Sequence, residues 1–421
     1  MHKIVIVADD LSGAADCGIA CVHHGLSTLV TLGPSSPIAD TDAIAIDADT
    51  RTLSASEAAA RTASIVQHAI QHDRQLLFKK LDSTLRGHAS AELAAALRTR
   101  RATASQRTVI VLAPAFPANG RTTLNGHQLL HGKDLHETEV GQREQMTGPC
   151  DLAAMMQAAG LSSTVIPLNL VRSGELKRTL HQLSRGNDVL ICDAETDSDL
   201  RSVAASAITL GTSSIWAGSA GLAHHLPPAA GLSRPAPAVT LPLLCSGPIL
   251  FVIGSMSSTT RDQLSYLLAH PPVTAITVAP QTLIAGPTSQ TWQQAQSHIH
   301  GSIASNQDTA IILGNDTVLS RDTAPQLAQA IGQLLGPYRD LVGALVATGG
   351  ETARAVLHAW DISALRLICE LEPGIPLSLA EGRRRQLPII TKAGAFGHPT
   401  SLFNCQQRLR PLASLESRSA L

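Results

Sequence analysis

Aromatic residues are nearly absent: three Trp, two Tyr and five Phe make up 2% of the 421 residues. The cores must be built from Ala, Leu, Val and Ile, which suits helices layered on a buried parallel sheet. Charge is sparse too, at 15% against 44% hydrophobic residues, and this balance excludes a disordered chain. Neither sign dominates, since 32 Lys and Arg face 33 Asp and Glu for a formal net charge of −1. The basic surplus of a nucleic-acid binder is therefore missing. Seven scattered cysteines form no CxxC pair, which fits reduced thiols in a cytoplasmic protein. Seventeen His include the pairs His23–His24 and His224–His225, but without HExxH or CxxC no protein-bound metal is expected. Residues 202–233 and 263–307 carry no Asp, Glu, Lys or Arg, yet Gly, Pro, Ser, Thr and His interrupt them, so no membrane span is expected. The first apolar stretch is four residues long before two carboxylates, which predicts no signal peptide.

Three familiar signatures are also missing. No GxxxxGK[ST] excludes a Walker-type phosphate loop, no GxGxxG argues against a dinucleotide fold, and no GxSxG argues against a hydrolase elbow.

What is present is a repeated alternation of short apolar runs, turns and helical patterns. Strands are predicted at Lys3–Ala8, Ala43–Ile46, Leu76–Lys79, Val109–Ala113, Val189–Asp193 and Ser214–Ala217, with helices over Ser12–His24, Ala55–Gln71 and Ala89–Thr99. Between Pro227 and Pro248 six prolines and almost no helical pattern read as a linker. Beyond it the pattern restarts: strands at Pro248–Ile253, Thr309–Leu313, Gly343–Ala347 and Leu387–Thr391, helices over Ser257–Ala269 and Glu351–Trp360. The expected fold class is α/β in two domains, each a mostly parallel sheet flanked by helices. The expected division is 1–230, a linker over 231–247, and 248–421.

Chemistry concentrates in the turns after strands, where open α/β sheets bind ligands. ADDLSGA (Ala8–Ala14) places two carboxylates after the first strand; the spacing serves a polyol site and a helix cap at Asp10 or Ser12 equally well. In DADTRTL (Asp47–Leu53), Arg51 is either a solvated charge or a bidentate clamp for a carboxylate. KKLDSTLRG (Lys79–Gly87) crowds Lys79, Lys80, Asp82, Ser83, Thr84 and Arg86 into one strand end, as a polar anionic ligand requires. AFPANGRTTLNG (Ala115–Gly126) and WAGSAGLA (Trp216–Ala223) read either as binding loops or as turns and close packing. In the second half VIGSMSSTT (Val252–Thr260), VATGGETA (Val346–Ala353) and TKAGAFG (Thr391–Gly397) each follow a strand. Gly and free helix N–H groups there suit phosphate, and three such turns in one domain point to a nucleotide.

Together with EPGIPL, these motifs resemble the four-carbon acid sugar kinases, in order from Ala8 to Gly397. The one departure in ADDLSGA is Ser12 where the family usually has Thr, and the hydroxyl is kept. The resemblance implies a kinase of D-threonate, D-erythronate or an oxo-tetronate, D-threonate first, acting on the terminal C4 hydroxyl with ATP and its accompanying Mg²⁺. It implies an N-terminal acid-sugar domain and a C-terminal nucleotide domain. It places Asp10, Arg51, Lys80, Leu81, Asp82 and Ser83 at substrate positions, and Ser255, Gly349, Gly350, Glu351, Thr352 and Gly394 at ATP positions. On that basis Arg51, with Lys80, is expected to hold the C1 carboxylate, and Asp10 or Asp82 to accept the hydroxyl proton. The expected partners are a small sugar acid and ATP, with no nucleic acid and no membrane; a homo-oligomer stays open. Two rivals are an NAD-dependent oxidoreductase, which lacks its fingerprint here, and a non-catalytic sugar-acid sensor, which predicts a degenerate second half that TGGETA and TKAGAFG do not show.

Overall fold

A computed structural model describes residues 2–33, 40–70, 74–104, 106–212, 214–235, 247–255, 257–270, 272–314, 323–382 and 386–410. Of the proline-rich linker expected over 231–247, residues 236–246 lie outside the described residues, as do Gln71 and Met256. The chain forms two compact units, Met1–Ala236 and Pro237–Leu421.

The first unit has eleven strands among its described residues: β1 Ile4–Ala8, β2 Thr28–Leu32, β3 Ala43–Asp47, β4 Leu76–Lys80, β5 Ile110–Ala113, β6 Arg121–Leu124, β7 His127–Leu130, β8 Lys133–Asp134, β9 Ser163–Ile166, β10 Val189–Cys192 and β11 Ile215–Gly218. Eight of them form a parallel sheet in the order β2-β3-β1-β4-β11-β5-β10-β9. Strands β1 and β4 are buried at every position: β1 is a continuous apolar run, as a strand covered on both faces must be, and β4 is apolar until its last two residues, Lys79 and Lys80. From β1 the chain runs outward to β2 and back to β3, then crosses to β4 and continues the other way. The order thus reverses between β1 and β4, and the loops leaving their carboxyl ends flank the crevice where such sheets take ligands. Strands β6–β8 make a separate antiparallel sheet.

The second unit adds β12 Ile249–Ile253, β13 Val273–Val278, β14 Asp308–Leu313, β15 Ala344–Thr348, β16 Ala364–Glu372, β17 Ile375–Ala380 and β18 Pro388–Lys392. Their order is β13-β14-β12-β15-β18-β17-β16, parallel from β13 to β18, with β17 antiparallel to both its neighbours. The reversal here lies between β12 and β15, and β18 is the next strand along. Three strands far apart in sequence thus become neighbours, and the three Gly-containing turns leave the same sheet edge.

Both sheets are mostly parallel α/β, as expected, and every predicted strand and helix is present within one to four residues. The unforeseen strands are β2, β6–β9, β13, β16 and β17. The motif EPGIPL proves to be the tight turn joining β16 to β17, where Gly374 takes a positive φ of 76°. No helix among the described residues is long and apolar enough to cross a membrane.

Candidate functional site

In the first unit, register brings three turns together. Ala8 pairs with Asp47 on one side and with Lys80 on the other, so the segments after β1, β3 and β4 leave at one level. The helix Leu11–His23 starts with Asp10 as its cap, and the Gly13 N–H donates to Asp10 Oδ1 at 2.8 Å. Asp10 Oδ2 accepts from Arg51 at 2.8 Å, so this carboxylate caps the helix and faces the cluster at once.

Arg51 donates Nε–H and an Nη2–H to Asp9 Oδ2, at 2.9 and 2.8 Å. The fork expected to clamp a ligand carboxylate is therefore met from inside the protein by Asp9, the first of the two carboxylates in ADDLSGA. Two of the five guanidinium N–H bonds are left over. Burial alone would raise the Asp9 carboxyl, but Arg51, Lys80 and Lys79 hold it below its ordinary value. Asp9 Oδ1 is buried with no partner.

Alternation along β4 sends its two lysines to opposite faces of the sheet. Lys79 pairs beneath the sheet with Glu92, 3.4 Å away, both side chains at most 2% exposed. Glu92 also accepts from Thr50 Oγ1 at 2.6 Å and Thr62 Oγ1 at 3.2 Å, so it fixes the residue before Arg51. Replacing Glu92 with Ala leaves the Lys79 ammonium buried without a counter-charge. It should lower stability by about 3–5 kcal/mol, read as a fall in the denaturant midpoint.

Lys80 lies beside the cluster. Burial would lower its ammonium pKa, but Cys17, Asp9, Asp10 and Asp82 raise it above the ordinary lysine value. Its Nζ makes no hydrogen bond or ion pair among the described residues. Leu81 turns its side chain into the core and donates its N–H to the Gly218 carbonyl at 2.8 Å. Asp82 accepts from Thr84 Oγ1 at 2.7 Å and pairs with Arg86. Burial opposes ionisation of Asp82, yet Arg86, Arg51 and Lys80 hold it far below the usual carboxylate range. The buried Ser83 offers its carbonyl to Gln128 Nε2 at 2.9 Å, which ties this turn to β7. Asp9, Arg86 and Arg121 are the charged residues of this region that the resemblance did not place.

In the second unit the turns after β12, β15 and β18 converge. The Gly254 N–H donates to the Thr348 carbonyl at 3.2 Å, the Ser255 N–H to Thr348 Oγ1 at 3.3 Å, and the Gly349 N–H to the Lys392 carbonyl at 2.8 Å. The Gly394 carbonyl accepts from Ser257 Oγ (2.7 Å), Thr260 Oγ1 (3.0 Å) and Lys392 Nζ (3.0 Å). Lys392 also donates to the carbonyls of Ala393 and Phe396, and burial pushes its pKa down to about 8. It acts as an internal staple for the loop.

The two helices that open here differ. Ser258–Leu268 is capped by Ser257 Oγ, which accepts from the Thr260 N–H at 3.1 Å. Gly350–Ala359 starts at Gly349 with no side-chain cap, and the first-turn N–H groups of an α-helix have no partner within the helix itself. Space beside them is kept by glycine: a Cβ on Gly394 would run into the Ser255 side chain, and one on Gly254 into Thr352. The predicted ATP residues Ser255, Gly349–Thr352 and Gly394 thus stand together. No group of three or more His, Cys, Asp or Glu among the described residues is placed to hold a metal ion. His225 is engaged with Asp197 at 3.0 Å, and His23 stacks on His224.

An ionic cluster thus lies at the switch point of one α/β unit, and a helix start with no side-chain cap, lined by glycines, at that of the other. Residues 4–226 match a family model described as a sugar-binding N-terminal domain, and residues 250–402 one described as a nucleotide-binding C-terminal domain. The chain is 38% identical to a D-threonate kinase of Cupriavidus necator, covering 96% of this chain and 97% of that protein. It is 30% identical to a D-threonate kinase of Salmonella typhimurium, covering 95% and 96%. A solved structure from Haemophilus influenzae shares the fold, with a TM-score of 0.73 and 19% identity over 96% of this chain and all of that one. The chain belongs to the four-carbon acid sugar kinase family.

Proposed function

We propose that this kinase transfers the γ-phosphoryl group of ATP to the C4 hydroxyl of D-threonate. The observation that carries the substrate is the 38% identity, over nearly the full length of both chains, to a protein named D-threonate kinase. The acceptor site is the cluster of Asp10, Arg51, Lys80, Asp82 and Ser83 in the first unit. The donor site is Ser255, Gly349–Thr352 and Gly394 in the second.

Asp10 is the better candidate for the base. Asp82 is held ionised by Arg86 and Lys80, and an acid kept that strong is a weak proton acceptor. Arg51 fixes Asp10 through an Nη1–H bond while Asp9 anchors the other side of its guanidinium. The first-turn N–H groups of the Gly350–Ala359 helix fit phosphate oxygens, and the glycines at 254 and 394 let them approach. Mg²⁺ accompanying the nucleotide would neutralise charge on the phosphates; the protein supplies position and dipoles, which is most of what phosphoryl transfer needs.

The test is ADP release by the purified protein with Mg-ATP and each of D-threonate, L-threonate, D-erythronate, L-erythronate and the oxo-tetronates. The highest kcat/KM is expected with D-threonate. A preference for D-erythronate or an oxo-tetronate would move the substrate within the family, and no ATP binding would overturn the donor site.

A further inference from the structure

Three of the five N–H bonds of Arg51 are already given to Asp9 and Asp10. Two cations of the region have no such commitment. One is Lys80. The other is Arg121, the first residue of β6, in the motif AFPANGRTTLNG.

Strand geometry fixes where Arg121 sits. Its backbone pairs with Phe116 across a tight turn, N–H to carbonyl in both directions, which pins the residue to the loop after β5. Arg121 and Thr123 are two residues apart on one strand and so share a face. Thr123 Oγ1 donates to Gln128 Oε1 at 2.8 Å, and Gln128 Nε2 donates to the Ser83 carbonyl at 2.9 Å. That face of β6 therefore lies over the Lys80–Ser83 turn, and Asp82, Arg86 and Asp16 are the charges close enough to act on Arg121. Its guanidinium nevertheless makes no hydrogen bond or ion pair among the described residues, and Nε is buried with no partner. Burial, with Arg86 adding to it, lowers its pKa despite the opposing charges of Asp82 and Asp16. A buried guanidinium donor left unpaired in a protein interior calls for an acceptor, and bidentate capture of a carboxylate is what that fork does best.

We propose that Arg121, together with Lys80, binds the C1 carboxylate of the sugar acid and sets the preference for acids over neutral polyols. Arg51 is then a positioning residue for Asp10. This inference rests on the function proposed above and adds the residue that reads the carboxylate.

The test compares D-threonate with D-threonamide, which keeps every hydroxyl and replaces the carboxylate with a neutral amide. Arg121→Met should raise KM for D-threonate about 10–100-fold, the worth of a charge-assisted contact. It should leave KM for D-threonamide and the Kd for ATP near their wild-type values, and Arg121→Lys should recover part of the loss. ATP binding and the thermal melt show whether each variant is folded. An equal loss for acid and amide would make Arg121 a structural residue and overturn the proposal, as would an unchanged KM for the acid; the kinase reading survives both. If the wild-type protein phosphorylates no tetronate, that reading falls and takes this inference with it.

Discussion

Asp10→Asn should lower kcat by roughly 10²–10⁴-fold, the range for loss of a general base. Asn is chosen because it caps a helix about as well as Asp. The amide oxygen can still accept from the Gly13 N–H, so the start of the Leu11–His23 helix is preserved and only the proton acceptor is lost. The sequence left capping and chemistry as equal readings of this residue; the structure shows one oxygen capping the helix and the other accepting from Arg51. A variant that melts like the wild type yet has lost turnover assigns Asp10 to the chemistry. One with near-normal turnover reduces it to a cap and passes the role of base to another group. Asp82→Asn is the companion measurement: it removes the buried carboxylate that pairs with the exposed Arg86 and accepts from Thr84, so its main effect should fall on the denaturant midpoint.

Gly394→Ala should raise KM for ATP about 10–100-fold, since overpacking a tight site costs roughly 1–3 kcal/mol and 1.4 kcal/mol is a factor of ten. The new methyl group meets the Ser255 side chain, and the loop cannot retreat easily. The Gly394 carbonyl is held by Ser257, Thr260 and Lys392, and Lys392 is buried. Ser255 has to yield, and with it the turn after β12. The measurement is the Kd for ATP by calorimetry together with KM for D-threonate. A loss confined to ATP is expected, because the acceptor cluster belongs to the other unit; unchanged ATP affinity would remove the β18 loop from the donor site.

Some of this could be read from the chain directly. The scarcity of aromatics and the alternation of short apolar runs with helical patterns indicated layered α/β units. The strands found this way, such as Ile4–Ala8 and Ile249–Ile253, are central and apolar throughout, so their signal is local. Strands β13 and β16 were missed because their residues are largely half-buried, with polar positions that break the apolar run. The β6–β8 sheet is too short and polar to stand out from a loop.

The candidate site divides along the same line. Residue type and position after a strand picked out the Lys79–Gly87 turn and the three Gly-containing turns, because helix starts and strand ends follow local rules; Asp10 and Arg51 were placed by the family resemblance. Partners are not local. That Arg51 gives three N–H bonds to Asp9 and Asp10, that Lys79 serves Glu92 while its neighbour Lys80 faces Asp9, Asp10 and Asp82, and that Leu81 belongs to the core all depend on which strands lie side by side. The sequence determined the two-unit α/β architecture, the family, and the turns where ligands belong. Only the tertiary structure decided which charges neutralise one another and which remain for a ligand, since Coulomb pairing depends on distance across the sheet and not along the chain.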